Sequence, residues 1–129
     1  MTHIPDTHTL VWFLEANPRL TPAALAALSD PGVQVVIPAM VLVELLFLYS
    51  RRRIALGLPA VLSHISRASN CKIHPLDETV VQQIPTSLNI HDAIIVATAL
   101  VYRDVLGEKT SVITKDAQII ASGLIPVIW

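Results

Sequence analysis

One apolar stretch, Val33–Ser50 (VQVVIPAMVLVELLFLYS), constrains the fold of this chain more than any other segment. Its first part is β-branched and has the length of a buried strand, which predicts a strand over Val33–Ile37. Pro38 ends that strand because it lacks the N–H that a central strand needs. The remainder, Ala39–Ser50, predicts a helix. The stretch is therefore typical of a strand followed by a helix, and polar interruptions argue against a membrane span.

The same alternation of strands and helices continues along the chain. The apolar strand segments are continuous runs rather than alternating patterns, which is typical of a parallel sheet with helices on both faces. No linker or repeat divides the sequence, so we expect a single α/β domain over residues 1–129. Further strands are predicted at His3–Asp6, Cys71–His74, Ser111–Thr114 and Ile125–Ile128, and helices at Thr7–Glu15, Ala23–Leu28, Leu58–Ser69, Glu78–Ile84, His91–Arg103 and Ala117–Ala121.

The composition restricts the classes of function. The chain is 53% hydrophobic and its mean hydropathy is +0.59, which is apolar for a small domain and suggests an apolar surface for a protein partner. The net charge of −1 provides no overall basic field for nucleic acid, so such a site must be local or assisted by a metal ion. Cys71 is the only cysteine, which fits a reducing compartment and favours the cytoplasm.

Four acidic residues occupy positions where a parallel sheet gathers ligands. Asp6 and Asp116 fall at or just past the ends of predicted strands, and Asp92 lies in the first turn of a helix. Glu44 is the only acid in its helix, whose apolar residues run all round and leave a narrow solvated face. Because ligands bind at the carboxyl ends of parallel strands, the four acids can converge on one edge.

Each acid also has a simpler interpretation. Asp6 and Asp116 can serve only as N-caps of the helices that follow them. Asp92 can simply favour the helix dipole, and Glu44 can lie on an exposed helix face. These alternatives remain open from residue patterns alone.

Convergent carboxylates would have a definite chemistry. Carboxylates brought together raise one another's pKa, and a cation relieves that repulsion. Oxygen ligands select Mg²⁺ or Mn²⁺ rather than Zn²⁺, and magnesium held by carboxylates typically engages phosphate oxygens. The reaction that suits such a site is metal-assisted hydrolysis of a phosphodiester bond.

Four segments together resemble a known family. They are DTHTLVWFL with Asp6, VLVELL with Glu44, HDAIIVATAL with Asp92, and VITKDAQI with Asp116. In order, spacing and flanking residues the sequence resembles PIN domains, and within them the small VapC-type toxins of toxin–antitoxin pairs. The resemblance implies a three-layer α/β/α sandwich with a mainly parallel sheet.

The resemblance also implies an activity and a site. It implies a Mg²⁺- or Mn²⁺-dependent endoribonuclease whose metal-binding and catalytic quartet is Asp6, Glu44, Asp92 and Asp116. Thr114 matches the supporting hydroxyl often found near the fourth acid of the family. Homodimer formation and silencing by a cognate antitoxin are implied as well, with RNA as the substrate and no membrane partner.

Two features bear on RNA binding and on the alternative function. Arg51 and Arg52, in the only basic run, and Lys115, beside Asp116, are candidates for contact with RNA phosphates. The low basic charge and the short first strand, in which only HIP precedes Asp6, favour a different possibility. In that possibility the chain is a catalytically silent PIN-fold module that binds a partner protein.

Overall fold

The structure, a computed structural model, describes all residues from 1 to 129. Its strands form one sheet in the spatial order β3-β2-β1-β4-β5, and every neighbouring pair is parallel. The α/β fold with a mainly parallel sheet, predicted from the continuous apolar runs, is confirmed. The strands are β1 (Thr2–Pro5), β2 (Gln34–Pro38), β3 (Cys71–His74), β4 (Thr110–Ile113) and β5 (Val127–Ile128).

Helices connect the strands and flank the sheet. None of them combines the length and apolar character that a bilayer span requires. The apolar stretch Val33–Ser50 divides into β2 and α3 at Pro38, as predicted. The helices are α1 (Thr7–Leu14), α2 (Pro22–Ser29), α3 (Ala39–Ser50), α4 (Leu58–Arg67), α5 (Glu78–Gln82), α6 (Ile90–Leu100) and α7 (Ala117–Ser122), and α6 continues into a π-helical turn, Val101–Val105.

The first strand is as short as the sequence suggests, but it is the central strand and all four of its residues are buried. Thr2 N donates to the carbonyl oxygen of Lys109, the residue before β4, at 2.8 Å. Asp6 N donates to the carbonyl oxygen of Ile113, the last residue of β4, at 3.2 Å. Alternate residues of a parallel strand donate to opposite neighbours, so the nitrogen of Pro5 faces β2. Since proline has no N–H, the ladder with β2 covers two residue pairs and that with β4 covers four.

Two helices of similar composition differ in burial. Residues 93–100 of α6 are all buried. In α3 only Val41 and Leu45 are buried, although ten of its twelve residues are apolar or aromatic. The core that α6 completes includes Ile4 of β1 and Ile113 of β4, both fully shielded from solvent.

Candidate active site

Two of the predicted acids lie at the carboxyl ends of adjacent strands. Asp6 directly follows β1 and is the N-cap of α1, where its Oδ1 accepts a hydrogen bond from Thr9 N at 2.9 Å. Asp116 follows β4 and is the N-cap of α7, where its Oδ1 accepts from Gln118 N at 2.9 Å and Ile119 N at 3.0 Å. The capping roles considered from the sequence are therefore real, but each occupies only one carboxylate oxygen.

Thr114 connects these two acids. Its hydroxyl donates to Asp6 Oδ2 and accepts a hydrogen bond from Asp116 N at 3.0 Å. Thr114 is fully buried, so this connection is held by the core rather than by the surface. Asp6 and Asp116 line one cleft of about 470 Å³, together with Lys115.

Glu44 lies across from this pair on α3. Its Oε1 accepts a hydrogen bond from the buried Thr7 hydroxyl at 2.8 Å, and its Oε2 lies 3.4 Å from His91 Nδ1. The expectation that apolar residues leave Glu44 only a narrow solvated face is wrong, because its neighbours Val43 and Phe47 are themselves about half exposed. Glu44 lines a second cleft, of about 390 Å³, and polar partners hold its carboxylate.

Asp92 lies in the first turn of α6, whose N-cap is Asn89. Asp92 N donates to Asn89 Oδ1 at 3.1 Å, and Asn89 Nδ2 donates back to Asp92 Oδ2 at 2.7 Å. The helix predicted from the sequence begins at His91 and leaves out the cap Asn89. The signal was present, since an asparagine three residues before an acid at a helix start is a common capping arrangement.

The charges of all four acids meet at Asp92. Burial raises the pKa of Asp92, and repulsion from Asp116 raises it further. The hydrogen bond from Asn89 opposes this rise, whereas Glu44 and Asp6 add smaller repulsions. No lysine or arginine lies within 4.0 Å of any of the four carboxylates, and the only basic group at that range is His91, beside Glu44. The edge therefore carries negative charge with little compensation.

The four acids do not form a closed coordination shell. No three His, Cys, Asp or Glu side chains lie close enough together to hold a metal ion. The donor chemistry nevertheless fits a hard divalent cation, because every candidate ligand is a carboxylate and the repulsion among them lacks a neutralising partner. Asp92 Oδ1 and Asp116 Oδ2 make no hydrogen bond and are available as ligands.

The basic candidates are distributed over different clefts. Lys115 lines the Asp6–Asp116 cleft, and its Nζ lies 4.9 Å from the centre of the Trp12 ring. Arg51 lines the Glu44 cleft. Arg52 lines neither of these two and belongs to a third cleft. His8 is exposed and lines all three clefts.

Comparisons with known proteins agree on one family and one fold. The sequence profile of the PIN domain family matches residues 4–122. Among solved structures, VapBC2 from Rickettsia felis, bound to a DNA fragment from its promoter, matches with a TM-score of 0.66 at 14% identity. That match covers 98% of this chain and 97% of the other chain.

Two further structures show the same likeness. VapBC-1 from nontypeable Haemophilus influenzae matches with a TM-score of 0.64 at 13% identity, over 98% of this chain and 96% of its own. A toxin–antitoxin complex from Klebsiella pneumoniae matches with a TM-score of 0.59 at 16% identity, and the match covers 98% of this chain and 96% of the other chain. At sequence identities this low, the structural matches show a shared fold alone. No curated protein sequence matches the chain.

Proposed function

The chain belongs to the PIN domain family, and on that basis we propose that it is a metal-dependent endoribonuclease of the VapC toxin type. The observation that carries the proposal is the placement of four carboxylates, from Asp6 to Asp116, around one sheet edge with no lysine or arginine paired to them. An edge of this kind attracts a divalent cation, and the cation attracts phosphate.

In this proposal Asp6, Glu44, Asp92 and Asp116 hold Mg²⁺ or Mn²⁺. When bound, such a cation orients and activates a water molecule and stabilises charge on the phosphate. Backbone amides fix one oxygen of Asp6 and one of Asp116, which restrains both carboxylates before any ligand arrives. Thr114 supports the site by holding the second oxygen of Asp6.

The remaining residues would bind and position RNA. Lys115 stands at the rim of the Asp6–Asp116 cleft, where its charge would attract the scissile phosphate. Arg51 would do the same at the Glu44 cleft. Hydrolysis adds water to phosphorus and breaks one P–O bond, and the oxygen that leaves takes up a proton.

We also propose a cognate antitoxin as partner, together with a homodimer, in the cytoplasm. The structural neighbours are two VapBC proteins and a toxin–antitoxin complex. In this chain Val43, Leu46 and Phe47 of α3 leave apolar area in solvent that a protein partner can cover. A single domain over residues 1–129 would carry both the nuclease site and that surface.

A second candidate function is a PIN-fold module that binds a partner without catalysis. The observation that favours it is the absence of any three potential ligands close enough to hold a metal ion. It predicts that the chain binds no divalent cation in solution.

Calorimetric titration with Mn²⁺ separates the two functions. We expect a binding isotherm for the wild type that is lost in Asp92→Asn and Asp116→Asn. Asp77→Asn is the matched control for Asp116→Asn, because both aspartates cap a short helix and asparagine preserves that cap. RNA cleavage should fall on the order of 100-fold in Asp116→Asn and stay unchanged in the control. A wild type without an isotherm and without cleavage would support the silent module.

A further inference from the structure

A third cleft, of about 610 Å³, lies beside the acidic edge and has no part in the proposed chemistry so far. Its walls come from one side of α1, the segment that follows α1, the last part of α3 and the turn after α3. Three arginines line it, Arg19, Arg52 and Arg53, and Glu15 is its only acid.

The three arginines are exposed and unpaired. None of them lies within 4.0 Å of a carboxylate oxygen. In a chain whose net charge is −1, three arginines against a single glutamate in one cleft are a marked local excess of positive charge. Such a cleft attracts an anionic ligand, and arginine is the side chain best suited to phosphate because its planar group can donate two parallel hydrogen bonds.

The backbone directs these arginines into the cleft. Arg52 follows α3 with a φ of 57°, a left-handed conformation that reverses the chain, and Arg53 N donates to Leu48 O at 2.9 Å. This turn separates Arg51, which stays 5.7 Å from the Phe47 ring in the Glu44 cleft, from its two neighbours.

A left-handed residue also shapes the wall of the third cleft that follows α1. Ala16 has a φ of 52° after α1, and Asn17 Oδ1 accepts a hydrogen bond from Arg19 N at 2.9 Å. Two helix ends thus present arginine side chains to one cleft.

The third cleft adjoins the acidic one. His8, Trp12 and Arg19 line both of them. The buried Trp12 ring lies 5.8 Å from the Arg19 guanidinium and 4.9 Å from Lys115 Nζ. Trp12 therefore holds one cation at the acidic cleft and another at the boundary between the two clefts.

We propose that the third cleft binds the sugar-phosphate backbone of single-stranded RNA next to the cleaved bond. Arg19 contacts the phosphate at the boundary between the two clefts, and Arg52 and Arg53 contact phosphates further along the third cleft. Trp12 is a positioning residue that keeps Arg19 and Lys115 in place. The proposal deepens the nuclease function and rests on it for the identity of the strand.

The test is binding of a fluorescent single-stranded RNA, measured by anisotropy in EDTA over a series of salt concentrations. The test variant is Arg52→Asn with Arg53→Ala, since asparagine tolerates the left-handed conformation. Because each phosphate contact contributes about 0.7 to the salt slope of log K, the slope should fall by about 1.4 and binding should weaken on the order of tenfold at low salt.

Arg67→Ala is the matched control, because Arg67 is also exposed at the end of a helix and has no acidic partner. It should leave the slope and the affinity unchanged. An unchanged slope in the double variant overturns the proposal. A loss of polyglutamate binding equal to the loss of RNA binding also overturns it, since the cleft would then be a general site for acidic protein segments.

The positioning role of Trp12 is tested by the salt slope of RNA binding in two variants. Trp12→Phe keeps an aromatic face and should keep the salt slope, whereas Trp12→Leu should lower it. Equal slopes in these two variants would leave Trp12 a core residue and overturn its positioning role.

Cleavage assays keep this proposal separate from the proposed function. With Mn²⁺ present, the arginine double variant should raise KM and leave kcat within about twofold, because the phosphates it loses are bound alike in substrate and transition state. If the wild type binds RNA with the steeper slope but cleaves no RNA, the proposed nuclease function is contradicted and the proposal of RNA binding in the third cleft stands. If the wild type and the double variant cleave RNA with the same KM, the proposal of RNA binding in the third cleft is contradicted and the nuclease function stands.

Discussion

Helices α3 and α6 have nearly the same apolar composition and opposite environments. In α6 eight consecutive residues are buried, because the helix packs against the sheet and its neighbouring helices. In α3 only Val41 and Leu45 face the interior, and Phe47 is 54% exposed. Apolar composition therefore predicts that a helix has a face to cover, but the fold decides whether the chain itself covers it.

The two helices also hold their acids differently. Asp92 stands at the capped start of the buried helix, where Asn89 fixes both its backbone and its carboxylate. Glu44 lies in the middle of the exposed helix and depends on the Thr7 hydroxyl and on His91. One acid is positioned by its own helix, and the other is positioned by groups from different elements.

The largest expected difference between the helices is in stability. Ile95→Ala in α6 should lower the free energy of unfolding by about 2–5 kcal/mol, because Ile95 is 1% exposed in the main core. Phe47→Ala in α3 should change it by less than about 0.5 kcal/mol, since that ring is half in solvent. Urea unfolding of both variants gives the comparison. A large loss in Phe47→Ala would mean that another molecule covers α3 in solution.

A smaller effect concerns the start of α6. Asn89→Ala should cost about 1 kcal/mol, because it removes the side-chain cap of this helix. Helix α3, which begins after Pro38, has no such bond to lose. Asn89→Ser should restore most of the stability while leaving Asp92 without its amide donor. If serine restores nothing, the contact with Asp92 rather than the cap accounts for the loss.

The smallest effect should come from the charge of Asp92. Burial, and then the repulsion from Asp116, raises its pKa above the ordinary value of 3.8. The ionised form of Asp92 is therefore disfavoured in the folded state, and its destabilising contribution to metal-free wild type should fade as the pH falls through that raised pKa. Asp92→Asn should be slightly more stable than wild type at about pH 7, and its advantage should disappear below about pH 4.

Urea unfolding at both pH values measures this difference, with Asp77→Asn as the control that lies outside the acidic edge. Added Mg²⁺ should stabilise wild type and not Asp92→Asn, because a ligand stabilises only the form that binds it. An advantage for Asp92→Asn that persists in acid would contradict the electrostatic explanation.

The local features of this fold could be predicted from the sequence. Continuous apolar runs predicted an α/β fold with a parallel sheet, and Pro38 predicted the junction between β2 and α3. Asp6 and Asp116 were placed correctly because strand ends and helix caps are signalled within a few residues.

Long-range features could not be predicted in this way. The contact of Asp6 with Thr114 joins residues 108 positions apart and depends on β1 lying beside β4. The exposure of α3 depends on which elements pack over it, and the third cleft depends on where two left-handed turns direct their arginines. These properties arise from packing across the whole chain, which no short window of sequence contains.

The central position of β1 has a consequence for synthesis. Asp6 leaves the ribosome 108 residues ahead of its partner Thr114. At ordinary rates of translation that interval lasts about 5–20 s, during which β1 has no β4 to pair with. The acidic edge therefore cannot exist before β4 has been made, and it first assembles after Thr114 and Asp116 have left the ribosome.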